Sequence, residues 1–199
     1  MPALAIPVAE RIIAAAGRLI AAQGLRATSV DDIAAAAGCG RATVYRWFPG
    51  GRAELLDVTL GQGVDRIFES CKRVTDHAED LAEAVAGTIN IAVVELSNDA
   101  VVQQLLVDEP DTIATLISPV RIEPLFERAS EWGLEHFSRF VEPAVAAHVG
   151  EWCARVVTDH LRSPAPVIDI TDLSIARRLV DNFLIPDLSA GRPTVPRSH

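Results

Sequence analysis

Lysine occurs once in this chain, at Lys72, so a Walker-type phosphate loop has no lysine to be built on. Cysteine is nearly as scarce. Cys39, Cys71 and Cys153 are odd in number and far apart, which excludes a disulfide framework or a zinc knuckle and fits a reducing cytoplasm. No run of about 18 apolar residues exists, so no membrane span is expected. The N-terminal MPALAIPVAERIIAAAGRLIAAQG is apolar enough to raise a signal peptide. No basic segment precedes it, however, and Glu10, Arg11 and Arg18 interrupt it at helical spacing, so it reads as an amphipathic helix. His77, His136, His148, His160 and His199 are scattered, with no Glu-x-x-His, His-Glu-x-x-His, Cys-x-x-Cys or Gly-x-Ser-x-Gly among them. The reading is therefore no metal, no cofactor and no catalytic residue. Strand alternation and internal repeats are missing as well. Apolar residues recur at helical spacing along the chain, and the expected fold class is all-α.

What is present is unevenly distributed. Residues 1–56 carry six arginines against four carboxylates, a balance of +2, while residues 57–199 carry twelve basic against twenty-three acidic residues, a balance of −11. The overall −9 taken alone argues against nucleic acid. Split in this way it describes a basic head on an acidic body, which would repel phosphate and help aim the head.

The stretch TSVDDIAAAAGCGRATVYRWFPGGRAELL, Thr28 to Leu56, organises that head. Ser29 is placed to cap a helix, with Asp32 as its box partner three residues on. Ile33, Ala34 and Ala37 give this helix a small apolar face, and Gly38 supplies a residue able to leave it with positive φ. A second helix is predicted from Gly40 or Arg41 to about Phe48, stopped by Pro49-Gly50-Gly51. Val44, Trp47 and Phe48 are expected inward; Arg41, Thr43, Tyr45 and Arg46 point outward. A scaffold helix, a glycine turn and an arginine-bearing helix make a helix-turn-helix, which lays its second helix in a major groove.

The segment resembles the N-terminal DNA-binding domain of the TetR family of bacterial transcriptional regulators. The words that carry the resemblance are Thr28-Ser29-Val30, Asp32-Ile33-Ala34, Ala37-Gly38, Thr43-Val44-Tyr45 and Phe48-Pro49. The chain departs from the family where Gly50-Gly51-Arg52 replaces the usual Ser-Lys, with Arg52 standing in for the lysine one residue later. The resemblance implies a transcriptional regulator, most simply a repressor, that binds a palindromic double-stranded operator as a homodimer and is released by an unknown small-molecule effector. Regulation without a small molecule, or activation, stays open. The expected DNA-binding residues are Thr28, Ser29, Arg41, Ala42, Thr43, Tyr45, Arg46, Trp47 and Arg52. Trp47 has two readings, packing between helices or donating its indole N–H to a phosphate.

The organisation expected is a DNA-binding domain over 1–52, a helical ligand-binding and dimerisation domain over 53–190, and a disordered tail over 191–199. A first helix follows Pro7 and closes at Gly24. A long helix runs from Arg52 to about Thr75. Asp76 caps the next, over Ala78 to Leu96, and short helices follow over Val101–Val107 and between Pro110 and Pro119. Further helices are expected over Leu125–Phe140, Val141–Leu161 and from Asp172 to about Pro186, with Ser163 to Pro166 a loop. Candidate effector contacts are Ile89, Asn90, Val93, Gln103, Leu106, Phe126, Trp132, His136, Phe137 and Phe140, with ordinary core as the alternative for each. Trp152, Val156, Leu179 and Phe183 lie on wide apolar faces of the last long helices, which the resemblance implies pair across a two-fold axis.

Overall fold

The computed structural model describes residues 6–163 and 168–189. Every regular element among them is helical: α1 (Val8–Ala27), α2 (Val30–Ala37), α3 (Arg41–Trp47), α4 (Gly51–His77), α5 (Leu81–Asn98), α6 (Ala100–Asp108), α7 (Pro110–Leu116), α8 (Pro119–Phe137), α9 (Pro143–Arg162), α10 (Leu173–Leu179), a π turn (Val180–Leu184) and α11 (Ile185–Ser189). The expected loop over Ser163 to Pro166 and the tail over 191–199 fall largely or wholly outside the described residues. No single helix among those described is long and apolar enough to cross a membrane.

The chain forms two compact units. One extends up to Ile67 and resumes from Glu95 to Arg121; the other takes Phe68–Val94 and the chain from Ile122 onward. In the first unit, Ile12, Ala15, Ala16 and Ile20 of α1 meet Val30, Ile33, Ala34 and Ala37 of α2, Val44 and Phe48, and Leu55 and Leu56 of α4. The alanines let α1 and α2 approach closely, and the branched residues fill the space between them. This core is not closed by the head helices alone. Val101 and Leu105 of α6 are buried in it, although the sequence reading assigned them to the body.

Glycine fixes the helix breaks here. Gly24 interrupts α1 with φ +80°, Gly38 ends α2 at φ +65°, and Gly51 turns the chain into α4 at φ +63°. After Gly38 the Cys39 N–H donates to Ala34 O and the Gly38 N–H to Ala35 O, the paired bonds of a Schellman motif.

The second unit is a bundle built from α4, α5, α8 and α9 segments and the C-terminal helices. Its core holds Val85, Ile89, Val93, Phe126, Phe137, Val149, Cys153 and Val180. Burial among apolar neighbours pushes the Cys153 thiol well above its ordinary pKa, with the Cys71 thiol adding to the shift. Helices α8 and α9 cross at Gly133 and Gly150, where a Cβ on Gly150 would lie 2.2 Å from the Ala129 carbonyl oxygen and 2.7 Å from the Gly133 Cα. No larger residue fits a backbone contact that close.

Several boundaries differ from expectation. Asp76 lies inside α4 and ion-pairs with Lys72 at 2.6 Å; Asp80 is the residue that opens α5, accepting the Glu83 N–H at 2.7 Å. Helix α8 starts at Pro119 and passes through Pro124. Pro124 has no amide to offer the Val120 carbonyl, and it falls in the first turns of the helix, where Val120 is 87% exposed. Near the end, the Ile185 N–H reaches Val180 O, which widens the expected regular helix into a π turn ahead of Pro186.

Candidate nucleic-acid interface

Helix α2 is positioned by its N-terminus. Ser29 Oγ accepts the Asp32 N–H at 3.1 Å while Asp32 Oδ2 accepts the Ser29 N–H at 3.1 Å and its hydroxyl at 2.5 Å, a complete capping box. These bonds, the hydroxyl first and the amide second, hold the Asp32 carboxyl below its ordinary pKa. The Schellman turn then delivers α3, anchored by Val44, fully buried, and Phe48.

That anchoring decides which side of α3 meets solvent. Arg41, Ala42, Tyr45, Arg46 and Trp47 are exposed and Thr43 is half-buried. Trp47 is 52% exposed, which corrects the expectation that it faces inward. Val44 and Phe48 already fill the inner face, leaving the indole on the rim. Tyr45 lies beside Gly51, whose glycine is called for by its φ of +63° and not by the ring. Arg41 lies over the same ring at 5.5 Å and ion-pairs with Asp31 at 2.8 Å, both side chains largely exposed. Asp31 was not singled out from sequence; its position ten residues before Arg41 gave no local signal.

Two of the nominated residues are engaged internally. Thr28 is fully buried and its hydroxyl donates to Gly24 O at 2.7 Å, so it is corrected from a DNA-facing hydroxyl to a lock on the α1 kink. The Arg52 side chain is exposed, but its Nη1 donates to Leu25 O, Arg26 O and Thr28 O at 3.1–3.4 Å. Ser29 remains exposed at the α2 N-terminus.

The candidate effector residues fall in both compact units. Gln103 and Leu106 belong to the first unit, where Gln103 Nε2 donates to Leu96 O at 3.1 Å. The others belong to the second. Ile89, Val93, Phe126 and Phe137 are buried core. Asn90 spends its amide on Ile170 O and Thr171 O at 2.9 and 2.8 Å. Trp132 meets Phe68 and His136 with tilted rings and Phe137 edge-on, ring centroids 4.6–6.0 Å apart, and Phe140 carries Arg139 at 4.3 Å. The residues nominated for self-association are more coherent. Trp152, Val156 and Leu179 line an open groove of about 400 Å³ with Arg155, Asp159, His160, Ser163, Ile168 and Ile170. Phe183, nominated for the same pairing face, is 69% exposed, and Leu173 is 54% exposed.

A family model described as bacterial regulatory proteins, tetR family, matches residues 12–58, which span α2, α3 and Arg52. Over 191 residues the chain is 27% identical to Rv0196, an uncharacterized HTH-type transcriptional regulator of Mycobacterium tuberculosis (strain ATCC 25618 / H37Rv), covering 90% of this chain and 95% of that one. Two solved structures share the fold. AlkX, a TetR family repressor from Dietzia sp. strain DQ12-45-1b implicated in biodegradation of n-alkanes, matches with a TM-score of 0.70 at 22% identity, covering 92% of this chain and 95% of that one. RolR in complex with resorcinol matches with a TM-score of 0.60 at 18% identity, covering 96% of each chain.

Proposed function

Since the chain belongs to the tetR family of bacterial regulatory proteins and is a DNA-binding transcriptional regulator, we propose that it is a homodimeric repressor released from a palindromic operator by a small molecule. The observation that carries this reading is the exposed face of α3, where Arg41, Tyr45 and Arg46 are presented by a capped scaffold helix and a glycine turn. Arg41 and Arg46 have the reach for guanine edges or phosphates, and Thr43 and Ala42 the size for a thymine methyl. Ser29, Trp47 and the free edge of Arg52 flank that face as phosphate contacts.

One α3 reads only a few base pairs, so two heads on two half-sites are needed for a specific operator. The half-buried Trp152, Val156 and Leu179 of α9 and α10, together with the exposed Phe183 of the π turn, support pairing through that surface. Release by a small molecule is supported by the resorcinol complex of a protein sharing this fold. The effector would favour a dimer whose heads do not match successive grooves, and by linkage DNA would weaken the effector equally.

A second reading, DNA binding without small-molecule control, is favoured by one observation: Ile89, Val93 and Phe137 are 0–3% exposed through packing within their own chain. Titration separates the two. DNA from upstream of the protein's own gene is bound by the labelled dimer, and apolar and phenolic compounds are added. Dissociation by a compound that also binds free protein supports effector release. Unchanged affinity across a broad set supports the second reading.

A further inference from the structure

We propose that Glu109 is a positioning residue for DNA binding: it fastens the break between α6 and α7 to the α1–α2 joint and so sets the pose of the helix-turn-helix. The proposal rests on the DNA-binding reading and adds to it a residue outside the helices that would face DNA.

The joint is a single turn, Leu25 to Thr28, created by Gly24. With φ +80° and ψ 164°, Gly24 breaks the α1 ladder and frees the amides that follow it. The Arg26 N–H finds its acceptor eighty-three residues away, donating to Glu109 Oε1 at 2.8 Å. Glu109 is only 3% exposed, so this carboxylate has little water to solvate it. Its other oxygen accepts the Thr112 hydroxyl at 3.1 Å and lies 3.9 Å from Arg26 Nε.

The opposite end of the same turn is held by Arg52, whose Nη1 donates to the carbonyls of Leu25, Arg26 and Thr28. An anion therefore sits at the amide end of the turn and a cation at its carbonyl end. Ser29, which caps α2, is the next residue after the turn. Glu109 itself is held in place by the chain: φ −135° and ψ 56° at the junction, with Pro110 following it and unable to continue the α6 hydrogen-bond ladder. Gly24 is needed for the kink by its positive φ, and a Cβ there, 3.0 Å from Glu109 Oε1, would make the carboxylate give by a few tenths of an ångström. A shift of the α6–α7 junction relative to α1 thus reaches α2 through one charge-assisted hydrogen bond.

The test uses the full chain and compares Glu109→Ala with Glu109→Gln, which keeps an acceptor for the Arg26 amide. Three readouts are taken: hydrogen exchange of the Arg26 amide without DNA, operator affinity per active dimer, and the salt slope of that affinity. Glu109→Ala is expected to speed Arg26 exchange and to weaken operator binding by about tenfold each, the scale of one charge-assisted hydrogen bond. The salt slope stays unchanged, because no phosphate contact is removed. Glu109→Gln is expected to remain within about threefold of the parent in both. Parent-like operator affinity in Glu109→Ala would overturn the proposal, and so would a Glu109→Gln as impaired as the alanine variant. If Glu109→Ala does not fold, the parent protein decides: an Arg26 amide exchanging as fast as a solvent-exposed loop amide overturns the latch, and protection upholds it. Failure of the parent to bind any duplex would instead sink the DNA-binding reading, leaving the Arg26 exchange result to stand separately.

Discussion

The α2–α3 pair and the α8–α9 crossing are held by opposite means. In the first, the hydrogen bonds that set the geometry are made within a few residues of sequence: Ser29 with Asp32, Gly38 with Ala35, Cys39 with Ala34. In the second, two glycines seventeen positions apart bring two helix backbones together, and neither residue is informative without the other. Local chemistry shapes the α2–α3 turn itself, while Glu109 and Arg52 fix the joint that precedes it. The second depends wholly on distant packing, and a small change there has nowhere to relax.

The largest expected effect tests that dependence. A methyl group on Gly150 would meet backbone atoms at 2.2 and 2.7 Å, which cannot rotate away as a side-chain tip can. Gly150→Ala should cost about 3 kcal/mol or more in denaturant unfolding. Gly61→Ala in α4, where a Cβ meets nothing within 4 Å, should instead stabilise by about 0.5–1 kcal/mol, on helix propensity alone. Equal effects at the two sites would erase the contrast.

The next effect belongs to the α3 surface. Arg46→Ala should weaken operator binding by about 1–3 kcal/mol with loss of preference at one base if the side chain reads a guanine, or uniformly with a flatter salt slope if it binds phosphate. Thermal stability should be unaffected, because the side chain is exposed. A stability loss without a binding loss would place Arg46 in the scaffold.

Ser29→Ala should cost about 1 kcal/mol through the lost cap. Its pH dependence sharpens the comparison. The Asp32 pKa is lowered in the folded chain by its bonds to Ser29, so the stabilisation is present above the ordinary value of 3.8 and is lost as pH falls through the lowered one. The gap between parent and Ser29→Ala should therefore narrow on acidification below that range in a pH series of unfolding curves, the non-titrating bond from the Asp32 N–H to Ser29 Oγ keeping the remainder. No such convergence is expected for Gly150→Ala, whose contact involves no titrating group.

The smallest effect concerns Asp31. Its exposed pair with Arg41 contributes little to stability, since exposed pairs are worth about 0–1 kcal/mol. Asp31→Asn frees the guanidinium and removes a charge that repels phosphate, so operator affinity should rise a few-fold, about 0.5 kcal/mol, at low salt and less at high salt.

The same division explains what the sequence disclosed. The box at Ser29, the turn at Gly38 and the inward Val44 and Phe48 were readable because each depends on residues three or four positions away. So was the exposed face of α3. Trp47 was misplaced because a large apolar side chain at helical spacing looks inward whether or not the inner face is already full. Thr28 looks like a phosphate ligand in isolation; the Gly24 carbonyl that claims its hydroxyl, and the carbonyls of the α1–α2 joint that hold Arg52 Nη1, lie off the local pattern. Glu109 gave no signal at all, being eighty-three residues from its partner. Apolar helical stripes do not say which neighbours they bury against, so Ile89, Val93, Phe126 and Phe137 could not be told from ordinary core by pattern alone. Gln103 and Leu106 went to one compact unit and the rest to the other.

The most direct measurement is the affinity of the purified protein for duplex DNA as salt is varied. Binding to the DNA upstream of its own gene is expected to fall steeply with rising salt, with a slope flatter by about one in a variant lacking a phosphate-binding arginine. Absence of salt-dependent affinity for any duplex, in protein that is folded and dimeric, would contradict the DNA-binding reading.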